Sequence, residues 1–461
     1  MLARASAPAN AAARASTRNG RIIVLQSSQA PARVIGRDTR GDRLIPLAMA
    51  LFFAFGFCTV LVDTLTPKLK GMFTLNYTEV MLTPFAFFGA YFLVSLPTSW
   101  LLARIGYLQS VVVGLVLTAA GCLLFTPAAS MGVYSAFLFA VFVMASGVTV
   151  VQVAANPLAT AIGDPRFSHS RLTLAQAFNS LATMVGPLFG AALILAHSRP
   201  MPDPRTVSAA RLSVLRIQEA HAVQAPFLGI AVALALLAGV CAMFFRASPR
   251  TTAAAPISYA GLLRNRRLML GVVSIFVYVG AEVAIGSLLT NYLMSSHALA
   301  ARQQVAGSLV SVYWGLAMVG RFIGAYALRR VKPGYALATC AIGAAVLATA
   351  SGLSAGLVAA GAILAIGLFN SIMFPTIFTL AIEELGENGH QGSGLLCLAI
   401  FGGAVIPLIA GRVADSFGLT AFLCVPVVCY AWIAGYGLLC GRTARLDYPP
   451  PLSWEGDQVQ L

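Results

Sequence analysis

The sequence predicts an all-α integral membrane protein, with twelve transmembrane helices arranged as two six-helix bundles. Two observations predict it. The 461 residues are 59% hydrophobic and 10% charged, with a mean hydropathy of +0.84, so most side chains must face lipid or other buried helices. The apolar stretches, each near the ~20 residues that cross a bilayer, also carry motifs that recur about 220 residues apart.

In chain order, residues 1–43 are rich in Ala, Arg and Ser and lack a long apolar run, which makes a flexible cytoplasmic tail. The Arg-rich composition also fits an organellar transit peptide, a pattern that Asp38 and Asp42 interrupt. Short charged or Pro/Gly-rich breaks then separate the spans. The amino-terminal bundle, 44–246, holds spans at 44–67, 79–103, 108–128, 132–162, 169–197 and 226–246. A cytoplasmic linker, 247–267, follows with Pro249, Pro256 and a basic cluster. The carboxy-terminal bundle, 268–441, holds spans at 268–295, 304–328, 335–353, 355–383, 391–413 and 418–441. Residues 442–461, with Pro449, Pro450 and Pro451, form a cytoplasmic tail.

Orientation follows from Lys and Arg, which number 21 on the side of the amino terminus and 8 on the other, with Arg321 inside a span. Both termini are therefore expected in the cytoplasm. The net charge of +15 is scattered over loops beside apolar spans, where topology and anionic headgroups account for it better than nucleic acid does. All eight cysteines fall within spans without metal or redox spacing and read as packing residues. The five histidines show no metal-ligand spacing, and no cofactor is expected.

The duplication rests on three matches. Pro157 in the fourth span and Pro375 in the tenth are 218 apart, each five residues after an amide, Gln152 and Asn370. Val185-Gly186-Pro187-Leu188 parallels Val405-Ile406-Pro407-Leu408 at an offset of 220. Gly89 and Gly315, with Arg104 and Arg330 after them, are 226 apart. Such repeats place a solute site between the halves near mid-membrane.

Charges kept within a membrane are costly and mark functional positions. Asp63 in the first span and Glu282 in the seventh are 219 apart, at related places in the two halves. A carboxyl that changes protonation as a cavity opens to either side serves proton coupling; for Asp63, sugar hydrogen bonding and a structural ion pair or cap are the alternatives. Glu282 shares its helix with Asn291 and reads first as part of a solute-facing stripe, with proton coupling as the alternative. Gln152 and Asn156, and Gln176 and Asn179, project pairwise from one helical face and, with Asn370, suit a hydroxyl-rich ligand. Interhelical bonding is the plainer reading of such amides. Trp314, Tyr91, Tyr278 and Phe178 offer stacking faces or simple packing. Arg104, Arg321 and Glu383 are gating candidates, Arg321 by pairing with Glu383 or Glu384 or else by snorkelling. No nucleophile elbow, phosphate loop or metal cluster points to an enzyme.

The stretches 62–67 (VDTLTP), 87–92 (FFGAYF), 152–157 (QVAANP), 171–179 (RLTLAQAFN), 280–291 (GAEVAIGSLLTN), 369–375 (FNSIMFP) and 391–397 (QGSGLLC) resemble the fucose/proton symporter group of the major facilitator superfamily. Within it they look most like the bacterial glucose/galactose transporters. The resemblance covers residues 44–441. It implies the major facilitator fold, alternating access and hexose uptake by a monomer of the bacterial inner membrane, coupled to a proton or sodium ion. Asp63 then matches the first-helix aspartate of proton coupling. Gln152 departs from the fucose-specific pattern, which has glutamate there, and points away from fucose. The loop at 103–109 lacks the acidic residue and several basic residues of the superfamily's gating signature. An exporter of drugs or organic anions on the same fold, and a non-transporting membrane sugar sensor, are the rival readings.

Overall fold

A computed structural model describes residues 44–73, 75, 79, 82–190, 208–245, 259–383, 385 and 389–443. Among the described residues there is no strand. The first six long helices are α1 (Leu44–Phe73), α2 (Leu82–Ile105), α3 (Tyr107–Met131), α4 (Tyr134–Ala161), α5 (Ser168–Gly190) and α6 (Ala209–Met243). After a short helix at Tyr259–Arg264 come α7 (Arg266–Met294), α8 (Gln303–Ala327), α9 (Pro333–Leu353), a two-part α10 (Gly356–Asn370 and Met373–Ile382), a two-part α11 (Gly389–Leu398 and Gly402–Phe417) and α12 (Cys424–Thr443).

Each expected span is matched by a helix; the eleventh is interrupted by a 3-10 turn at Ala399–Phe401, and three further differences stand out. The sixth helix begins at Ala209, capped by the Ser208 hydroxyl, which accepts from the Arg211 N–H at 3.4 Å. An apolar window detects only the part of a helix that lipid covers, so the polar extension escaped it. The tenth span breaks after Asn370, where Pro375 has no N–H to return to the Ser371 carbonyl. Among the described residues eleven helices are apolar and long enough to cross a membrane, and α5 falls short over its described length. Its first turns carry Ser168, His169, Ser170, Arg171 and Thr173, and the apolar run at 191–196 lies outside the described residues.

Within the first half α3 packs on α4 and α6, and α1 on α5; in the second, α9 packs on α12 and α7 on α11. These are the same pairings displaced by six helices, as a duplication requires. The halves meet where α5 lies against α8 and where α11 lies against α2 and α4. Gly394 permits the second of these contacts: a methyl group there would sit 2.6 Å from the Ser99 Cβ.

Helix ends are tied by local chemistry. Asn265 caps α7 by accepting from the Leu268 N–H at 3.0 Å. Arg171 reaches back from α5 to the last turn of α4, donating to Ala159 O at 3.2 Å and Thr160 O at 2.9 Å. A cation at a helix carboxy terminus satisfies orphan carbonyls and complements the dipole.

Candidate functional site

The polar side chains of the interior form one cluster in each half. In the first, the Tyr91 hydroxyl on α2 donates to Gln152 Oε1 on α4 at 2.8 Å, both residues being buried. In the second, Asn370 Nδ2 on α10 donates to the Tyr313 hydroxyl on α8 at 2.9 Å. The helices α2 and α4 correspond to α8 and α10 in the duplication, so a tyrosine–amide bond recurs at the same helix pair with donor and acceptor exchanged. The second cluster continues to α7, where the Tyr278 hydroxyl lies 2.8 Å from Glu282 Oε1 and 3.0 Å from the Asn370 carbonyl. Trp314 stands edge-on to Tyr313, with centroids 5.2 Å apart and planes at 82°. Tyr91 and Tyr278, read from the sequence as stacking faces, are engaged here through their hydroxyls.

Other expected site residues lie apart from these clusters. Asn156, one turn beyond Gln152, faces α11, with its Nδ2 3.9 Å from the Cys397 sulfur and its Oδ1 lacking a hydrogen-bond partner. Asn179 Nδ2 donates to the Phe52 carbonyl at 3.2 Å and ties α5 to α1. Gln176 is buried, and its carbonyl, rather than its amide, has the bond that matters below. Asn291 is exposed, more than two turns from Glu282. Asp63 lies within α1, and its side chain is outside the described residues.

The gating candidates also separate. Arg321 does not meet Glu383: it is buried, and donates to the Ser371 carbonyl at 3.2 Å, to the Gln176 carbonyl at 3.1 Å and to the Ser180 hydroxyl. It therefore links α8 both to α10 and, across the halves, to α5. Glu383 instead pairs with Arg267 at 2.6 Å, within the second half. Glu384 lies outside the described residues. Arg104 is exposed and stacks over Trp100, 3.6 Å from the ring centroid.

Residues that sequence reasoning passed over hold the halves together. The Ser170 hydroxyl donates to Ala325 O at 2.5 Å, and the Ser393 hydroxyl donates to Val153 O at 2.7 Å. His169 and Thr379 are hydrogen-bonded between α5 and α10. These polar links, with that of Arg321, gather toward the face at which α1 begins, here the α1-start face. Two of them had a legible signal. A proline leaves the carbonyl four residues before it without its helical donor; Pro157 frees Val153 and Pro375 frees Ser371, and those carbonyls accept from Ser393 and Arg321.

A cavity of about 1360 Å³ lies elsewhere, between α1, α5 and α6, lined by Met49, Phe53, Phe57, Phe178, Gly229 and Leu237 among others. Its walls are almost wholly apolar and provide few partners for a hydroxyl-rich solute. The two polar clusters flanking the seam are the better candidate site.

Residues 47–406 match the Major Facilitator Superfamily. The chain is 49% identical over 395 residues to a glucose/galactose transporter of Brucella abortus biovar 1 (strain 9-941), covering 85% of this chain and 93% of that one. It is 32% identical over 434 residues to the L-fucose-proton symporter of Escherichia coli (strain K12), covering 89% and 97%. The crystal structure of FucP, a Major Facilitator Superfamily transporter, in the outward conformation superposes with a TM-score of 0.79 at 28% identity, over 87% of this chain and 99% of that one. A duplicated twelve-helix bundle, a match over most of its length and close relatives of the same fold agree: the chain belongs to the Major Facilitator Superfamily.

Proposed function

We propose that this protein is a secondary active transporter that imports a hexose, glucose or galactose, by proton symport with alternating access. The observation that carries the reading is the pair of tyrosine–amide clusters, Tyr91 with Gln152 and Tyr313 with Asn370, one in each half on either side of the seam. Amides and hydroxyls that give and accept hydrogen bonds match the rim of a sugar. The named activities of the glucose/galactose and L-fucose-proton relatives support the same substrate class and coupling ion. The halves are assigned to 44–246 and 268–441, with 247–267 as linker, and they rock against each other about the central site.

In this reading Gln152, Gln176, Glu282, Asn370 and Trp314 line the solute path, and Asn156, Asn179 and Asn291 border it. Asp63 takes up a proton with the sugar. The excess of Lys and Arg on the side of the amino terminus supports an α1-start face turned to the cytoplasm of a bacterial inner membrane. The polar links on that face then describe a carrier closed inward. Arg321 belongs to this closure; Arg104 and Glu383 flank it. The protein works as a monomer without cofactor or catalytic step.

Uptake of labelled galactose or glucose into proteoliposomes, with and without an imposed pH gradient, tests the proposal. Accumulation that follows the gradient is expected, together with competition by hexoses and not by drugs or organic anions. Uptake indifferent to the gradient would remove symport. Asp63→Asn is expected to lower accumulation while exchange persists, and unchanged accumulation would remove Asp63 from coupling.

A further inference from the structure

Arg321 is a buried cation in a spanning helix, and among the described residues no carboxylate forms an ion pair with it. Such a charge persists only when neutral acceptors satisfy its donors. Here Ser371 O on α10, Gln176 O on α5 and the Ser180 hydroxyl on α5 do so. The two on α5 belong to the opposite half. Arg321 and Tyr278 bond to adjacent carbonyls of α10, those of Ser371 and Asn370, and Tyr278 bonds in turn to Glu282, so the guanidinium and the carboxyl share one neighbourhood. Glu282 is partly buried, its Oε1 accepts from Tyr278 at 2.8 Å, and among the described residues nothing donates to Oε2. Among the described residues the same cluster also holds Tyr313 from α8, bonded to Asn370, which is neither basic nor acidic at neutral pH.

The geometry points to Glu282 as a second proton-carrying site, in the carboxy-terminal half, which gives up its proton when the halves part at the α1-start face. The inference rests on the transport reading above. With the seam closed, α5 satisfies Arg321 and Glu282 remains a neutral carboxylic acid. When α5 leaves with its half, Arg321 loses Gln176 O and Ser180 together, and a guanidinium so stripped inside a membrane requires a counter-charge. Glu282 supplies it. The carboxyl O–H bond breaks, the proton passes to water at the opened face, and the remaining carboxylate pairs with Arg321. No electron is transferred. A proton taken from the opposite face reverses the step and returns Arg321 to α5.

The accumulation ratio counts the protons. At zero membrane potential and a gradient of one pH unit, each coupled proton multiplies the limiting ratio of galactose by about ten. With Asp63 and Glu282 both coupled, the wild-type carrier is expected to reach a limiting ratio of about 100-fold and Glu282→Gln about 10-fold, a plateau that is independent of how fast the variant carries galactose. Asp63→Asn is likewise expected near 10-fold, and the double variant is expected to equilibrate galactose with no accumulation. A wild-type ratio near 10 overturns the inference without recourse to any variant, while leaving symport intact. So does a Glu282→Gln carrier that accumulates like wild type, or one that loses galactose binding altogether, which would make Glu282 a sugar ligand. Absence of any hexose flux in the wild type would instead remove the transport reading, and this inference with it.

Discussion

The Ser393 hydroxyl on α11 donates at 2.7 Å to the carbonyl of Val153 on α4, the one acceptor that Pro157 leaves without a helical N–H. One proline thus turns the backbone of the first half into a docking point for the second. Removing the hydroxyl with Ser393→Ala is expected to cost the closed state ~1 kcal/mol, about a fivefold shift toward opening at that face. Cys397, buried one turn away beside Asn156, is the native reporter. Its rate of alkylation by a polar maleimide added from the α1-start face should rise by about that factor. An unchanged rate would show that the bond does not hold the seam.

Tyr313 is fully buried and is the acceptor for Asn370 Nδ2, while Asn370 Oδ1 has no well-aligned partner. Tyr313→Phe strands a second polar atom of the same amide. The expected cost is about 1–3 kcal/mol of stability, read as a lower thermal midpoint in detergent, with a raised KM for uptake. Tyr313→Phe with a wild-type midpoint and KM would exclude this bond from the site.

Gly394 meets Ser99 with no room for a side chain. Gly394→Val is expected to prevent α11 from closing on α2, so that Cys397 labels rapidly and net uptake stops. Ser99→Gly in the same chain should restore part of the uptake by reopening space. Failure of Gly394→Val to alter either readout would contradict the close approach as a requirement of the cycle.

The Arg267–Glu383 ion pair joins two helices of one half, with side chains 13% and 51% exposed. Half-exposed pairs contribute about 1 kcal/mol or less. Glu383→Gln is therefore expected to leave the uptake rate within about threefold of wild type. A loss of tenfold or more would assign the pair a part in gating that its placement does not suggest.

The bundle was legible because lipid imposes a simple rule on composition; the α10 break was not, since Pro157 at the corresponding place leaves α4 continuous. The start of α6 was not, since its first turns are polar and an apolar window is blind to them. Within the site, Gln152 and Asn370 were found by their repeat offset, but their tyrosine partners depend on which helices become neighbours. For Arg321 the sequence offers a carboxylate partner or a snorkelling position, and the structure has carbonyls and a hydroxyl instead. Carbonyls are borne by every residue and leave no trace in a sequence, except where a proline four positions on sets one free. Asn179, expected to face solute, bonds to the backbone of α1 for the same reason.

The seam has a further property that follows from its composition. Among the described residues its links run from hydroxyls and from two guanidinium groups, those of Arg321 and Arg329, to neutral oxygens, with one hydroxyl–imidazole bond between Thr379 and His169 and no cation–anion contact between the halves. Dissolved ions weaken attraction between opposite charges and act little on dipoles packed out of water. The latch at the α1-start face should thus be nearly indifferent to the electrolyte content of the medium, leaving the proton and the sugar as the agents that decide when it lets go.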